Sequence, residues 1–123
     1  TDGPYFHLRA NGGILSTAPD MMLWHQALLG TMVLSDASKT AMFTPHVEEL
    51  PGGDTFYGYG WVVEDTTYGK LVWHNGGNGF FFADFWRYLD ADVTVFVASN
   101  AYAEYAGNDD LARVLATIVL NGG

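Results

Sequence analysis

Apolar residues recur at helical spacing early in the chain and run in short blocks later, so a helical first part gives way to a strand-rich second part. After an irregular start at residues 1–13, Thr17 is a good N-cap, Pro19 is tolerated in the first turn, and Asp20 can reach back to free N–H groups. Met21, Trp24 and Leu28 then follow at helical spacing, and Gly30 supplies the stop. A second, shorter helix is expected from the Ser35 cap through Phe43, ended by Pro45. Residues 44–56, with Pro51, Gly52 and Gly53, read as a loop.

From Tyr57 onward four strands are expected: YGYGWVVE (57–64), KLVWHN (70–75), FFFADFWRYL (80–89) and VTVFVAS (93–99). The short Gly- or Asp-containing links favour antiparallel hairpins. From about Asn108, Leu111, Val114, Leu115 and Ile118 fall on one face, which predicts an amphipathic helix lying across the sheet. The expected fold is α+β, a single domain over 1–123. It has a four-stranded antiparallel meander, two N-terminal helices and a C-terminal helix packed on the sheet.

With 123 residues, 49% of them hydrophobic, the chain can build a genuine core. A net charge of −9 would repel a phosphate backbone and an anionic membrane surface, which sets nucleic acids and membranes aside as partners. There is no cysteine, hence no disulfide framework and no thiolate metal site. No apolar run approaches the roughly 20 residues of a spanning helix. The chain opens Thr-Asp-Gly-Pro without a methionine, compatible with a processed, tagged or excised chain.

The stretch VWHNGGNGFFF, Val72 to Phe82, delivers a histidine at the end of an apolar run into a segment broken by Gly76, Gly77 and Gly79. Taken alone, His-x-Gly-Gly is a weak signal: the glycines could form a bulge or hairpin start and His74 could simply bond a neighbour. His7, His25 and His46 lack metal-ligand spacing and read as surface or loop histidines, so neither a metal nor another cofactor is expected. Trp61, Trp73 and Trp86 could line a sugar-binding face, although strand aromatics commonly form core and cross-strand pairs.

Taken in order, GGILSTAPDMMLWHQALL, LSDASKTAMFTP, YGYGW, WHNGG followed by Gly-Phe, VTVFVASN and a C-terminal helix resemble the C-terminal portion of the serine β-lactamase-like superfamily. That group includes class C β-lactamases, D-alanyl-D-alanine carboxypeptidases, D-aminopeptidases and related esterases. The resemblance spans nearly all of this chain but only about the last third of such an enzyme. It implies a partial β-lactamase-like fold in a soluble, often periplasmic or secreted, acyl-transfer enzyme.

Members carry three motifs: Ser-x-x-Lys with the nucleophile, Tyr-x-Asn or similar, and Lys-Thr-Gly or His-x-Gly on a strand bordering the cleft. His74-Asn75-Gly76 matches the third. The resemblance implies that His74 tunes proton affinities near the nucleophile and that Gly77 gives one backbone N–H of the oxyanion hole. Such donors are typically worth about 3 to 4 kcal/mol each. Glycines at 76 and 77 leave room for a substrate backbone against the strand, and Asn75 and Gly76 would line it. Asn100 matches an asparagine near the cleft in some relatives, and is equally a strand-ending turn residue. An inherited cleft wall would place His74 at a strand end, partly exposed, with the Gly77 N–H outside the regular ladder.

The other two motifs are absent. Ser16 leads to Pro19, Ser35 to Ser38, Ser38 to Ala41 and Ser99 to Tyr102, and no tyrosine begins Tyr-x-Asn. Lys39 and Lys70 are not spaced to activate a serine. Three readings stay open: the C-terminal segment of a serine hydrolase, inactive alone; a free-standing domain binding a small acyl, peptide or sugar ligand; or an assembly protein. The expected partner is an N-terminal hydrolase part or a second copy paired through strand 93–99 in a homodimer, because VTVFVAS would otherwise be a bare, uncharged edge.

Overall fold

A computed structural model describes residues 12–77, 80–100 and 108–122, the side chains of 108–110 excepted. Its order is α1 (Ala18–Leu29), α2 (Asp36–Met42), β1 (Val47–Glu48), β2 (Thr55–Tyr57), β3 (Val62–Thr66), β4 (Gly69–Gly77), β5 (Phe82–Tyr88), β6 (Val93–Ser99) and α3 (Asn108–Leu120). The strands form one antiparallel sheet in sequence order, β1 to β6.

The α+β class and the three helices are as expected, but the sheet has six strands and not four. Thr17 and Ser35 cap α1 and α2, accepting from the backbone N–H groups of Asp20 and Ser38. Two stretches depart from expectation. Residues 44–56 contain β1 and all but the last residue of β2, and the expected strand 57–64 is split by a turn at Gly58–Trp61. Gly60 takes φ +76 there, a conformation that glycine enters without steric cost, and the Gly58 N–H donates to the Trp61 carbonyl at 2.8 Å. What looked like one strand is a hairpin.

Alternation along β4 and β5 feeds two cores. Val63, Val72 and Phe85 meet Leu28 of α1 and Phe43 at the end of α2. On the other face Leu71, Trp86, Tyr88 and Val97 meet Ala112 and Ala116 of α3. The expected apolar face of α3 is therefore not the packed one. Ala112 and Ala116 are fully buried, whereas Leu111, Val114, Leu115 and Ile118 are 40 to 53% exposed. Small residues let the helix axis come close to the bulky Trp86, which also carries the Arg113 guanidinium 5.2 Å from its ring centroid.

The tryptophans do not form a sugar platform. Trp61 and Trp86 are buried, and half-buried Trp73 stacks on Trp86 with ring centroids 5.2 Å apart. No described helix is long and apolar enough to cross a membrane.

Candidate functional site

The end of β4 is the unusual place in the sheet. Pairing with β3 starts only at Val62 opposite Trp73, while pairing with β5 continues to Gly77 opposite Phe82. Residues His74 to Gly77 thus have β5 on one side and no described strand on the other. Which backbone groups face that open side follows from the alternation of an antiparallel ladder. The Leu89 N–H donates to the Lys70 carbonyl from the β5 side at 2.8 Å. Even-numbered residues of β4 therefore bond towards β5, and odd-numbered ones towards β3. Asn75 and Gly77 direct their N–H and C=O groups to the side where β3 has ended.

His74 bends over this open edge. It is solvent-exposed, and its Nδ1 lies 2.6 Å from the Asn75 carbonyl oxygen. A carbonyl only accepts, so Nδ1 carries the proton, and in the neutral ring Nε2 is left as an acceptor. The Tyr57 hydroxyl donates to that Nε2, with the two rings edge to face at 5.8 Å and 84°. Burial, and then the nearby Glu49 carboxylate, raise the Tyr57 pKa, which keeps the phenol protonated and able to donate. Tyr57 and His74 are separated in the sheet by β3. They meet because β3 begins one hairpin too late to come between them.

Of the residues named from sequence, His74, Asn75, Gly76 and Gly77 are consecutive on this edge. A Cβ on Gly76 would meet nothing within 4 Å, so the surface beside it is open. Asn100 follows Ser99, which pairs with Phe82, the partner of Gly77. It shares this end of the sheet but stands about two strand spacings, roughly 10 Å, from Gly77. Phe80 and Phe81 are exposed where the chain re-enters the sheet. His7 lies outside the described residues.

Sequence reasoning missed two buried charges, Asp84 and Arg87, 1% and 2% exposed. The signal was available: charges in an otherwise aromatic strand, FADFWRY, are rare unless partnered. Asp84 stands in register between Asn75 and Val97, at the same end of the sheet as the β4 edge. Arg87 donates through Nε to Nδ1 of His25 at 3.2 Å, and the Thr94 hydroxyl lies 3.0 Å from the same nitrogen. His25 is accordingly no surface histidine but a half-buried member of this cluster. Beside it His25, Leu29, Thr94 and Asp92 line a recess of about 20 Å³, room for one water. His46, by contrast, is exposed as expected, stacked on Tyr59 with centroids 4.5 Å apart. Among the described residues no three His, Asp or Glu side chains gather as metal ligands.

The cluster makes stability depend on pH. Burial, and secondarily the Arg87 charge, lower the His25 pKa below its ordinary 6.5, while the Asp92 carboxylate acts in the opposite sense. Below that value the unfolded chain takes up a proton that the folded chain resists, so stability falls as pH drops through the ordinary histidine range. The expected result is a larger loss of melting temperature between pH 7.5 and 5.5 for the wild type than for His25→Gln. Asp92→Asn should steepen the loss. Identical pH profiles for wild type and His25→Gln would contradict this account.

No curated protein and no solved structure matches the chain. A family model described as Beta-lactamase does match, over residues 1–118, and the chain belongs to that family.

Proposed function

We propose that the chain is the C-terminal segment of a β-lactamase-like serine hydrolase, and that the β4 edge from His74 to Gly77 is one wall of its acyl-transfer cleft. The observation that carries this reading is the overhang of β4 beyond β3, which leaves Asn75 and Gly77 backbone groups without a described strand partner beside a Tyr–His pair. An acyl or peptide ligand laid along this edge would add to the sheet as a strand does. Its carbonyl oxygen would accept from the Gly77 N–H, and the open surface at Gly76 would admit it. Ser-x-x-Lys and Tyr-x-Asn would come from the N-terminal part of the enzyme, since neither is present in these 123 residues. A β-lactam, a D-amino-acid peptide and an ester all present the carbonyl that such an edge would hold.

The test is an amide-resolved titration with N-acetyl-D-alanyl-D-alanine, a cephalosporin and a simple aryl ester. For at least one of them, the Asn75 and Gly77 amides should respond more than any others. Responses confined to other surfaces, or none at millimolar ligand, would count against a cleft wall.

A second reading, a non-catalytic ligand-binding or assembly domain, draws on β6. Among the described residues it pairs only with β5, and it ends the sheet. Under this reading two copies would continue the sheet through residues 93–99. Sedimentation showing a monomer at micromolar concentration would exclude this dimer.

A further inference from the structure

We infer that Tyr57 is a positioning residue for His74, holding the imidazole in the Nδ1–H form over the β4 edge and leaving its own phenolic oxygen as the acceptor that an incoming O–H or N–H meets. The inference rests on the reading of that edge as a cleft wall for its functional meaning, but its geometry stands apart from it. Both ring nitrogens are committed. Nδ1–H donates to the Asn75 carbonyl, which the alternation of β4 turns to the open side, and Nε2 accepts from Tyr57. Neither nitrogen keeps a free lone pair for a ligand, whereas the Tyr57 oxygen, having donated its one hydrogen, still has acceptor capacity.

Position explains why Tyr57 can do this. It is the last residue of β2, fixed by pairing with Val47 on one side and Val62 on the other. The next residue turns away, its N–H closing the hairpin on the Trp61 carbonyl. The ring therefore projects past the start of β3 from a backbone held on both edges, an anchoring that a loop tyrosine would lack. His74 is likewise the first β4 residue beyond the β3 pairing, so the contact bridges the end of a strand.

The Nδ1–H form is the telling feature, because a histidine free in water favours the Nε2–H tautomer. Long-range ¹H–¹⁵N spectra of the whole chain, taken at alkaline pH where imidazoles are neutral, distinguish the two forms. The expected result for the wild type is His74 predominantly protonated on Nδ1, with Tyr57→Phe shifting the majority to Nε2. His46 is an internal reference. Its Nε2 lies 2.9 Å from the Ala41 carbonyl and so carries the proton, and its Nε2–H form should persist in the variant. An unfolded chain would also show His74 as Nε2–H, so the dispersion of the amide spectrum has to report that the variant is folded; where it does not, the wild-type spectrum decides by itself. Wild-type His74 in the Nε2–H form, or a His74 tautomer unchanged in a folded Tyr57→Phe chain, overturns the inference. A ligand titration that fails at Gly77 while the tautomer result holds would remove the cleft reading and leave the positioning intact.

Discussion

Replacing Gly58 by alanine is expected to destabilise the chain by about 3 kcal/mol or more, the upper range for overpacking a tight site. A Cβ there would stand 2.3 Å from the Met42 carbonyl oxygen, 3.2 Å from that of Thr44 and 3.3 Å from a methyl of Val63. Two of these three neighbours are backbone at the end of α2 and cannot rotate away. The Tyr59 N–H donates to that same Met42 carbonyl at 3.0 Å, so relief by moving α2 would also stretch a hydrogen bond. For a domain whose whole stability is about 5 to 15 kcal/mol, such a loss is large. Urea denaturation followed by tryptophan fluorescence measures it. Gly76→Ala is the control, because its Cβ meets nothing within 4 Å and its stability should stay within about 0.5 kcal/mol of wild type. A Gly58→Ala midpoint equal to that of Gly76→Ala would refute the packing argument.

The same contact links fold to site. α2 seats the Gly58–Trp61 hairpin, the hairpin ends β2 at Tyr57 and delays β3 to Val62, and the delay opens the β4 edge. Damage at Gly58 should therefore reach the Tyr57–His74 pair although neither residue is touched.

What could be read from the chain without coordinates was the local part. The Thr17 and Ser35 caps are bonds from a side chain to a backbone group three residues away, and β6 is a run of β-branched and apolar residues; both are written in consecutive positions. The short strands β1 and β2 were not legible, because two or three residues carry no periodicity and are strands only through their partners. The packed face of α3 was misjudged because the larger side chains suggested burial, while close approach to Trp86 selected Ala112 and Ala116. The His-x-Gly-Gly segment was legible from its glycines. Its geometry was not: Tyr57 and His74 lie 17 positions apart, and His25 and Arg87 lie 62 apart. Their contacts depend on where strands stop, and a residue pattern records that poorly.

The 123-residue chain by itself is expected to form no acyl-enzyme. Nucleophilic catalysis needs an attacking oxygen beside a base, and the basic residues of this sequence offer none at the required spacing. Lys39 is occupied elsewhere, donating to the Leu29 and Gly30 carbonyls that end α1 and pairing with Asp36 at 2.8 Å. His74 is no substitute base for a serine, because both its nitrogens are already bonded within the chain. What remains is the proposed oxyanion wall, and loss of a nucleophile alone removes on the order of 10⁶ in kcat where it has been measured. Neither a chromogenic cephalosporin nor a p-nitrophenyl ester should turn over above a denatured-protein control, and a fluorophosphonate should label no serine. Fusion to an N-terminal part carrying Ser-x-x-Lys and Tyr-x-Asn should bring labelling of the new serine and turnover together. His74→Ala in that fusion should then lower turnover by about 10², the cost of misplacing a group by about 1 Å, because the Tyr57 hydroxyl loses the ring that orients it. Labelling of Ser16, Ser35, Ser38 or Ser99 in the unfused chain would place the nucleophile within these residues and reject the division of labour. A fusion that stays as active after the His74→Ala substitution as before it would reject the role of the β4 edge in the chemistry.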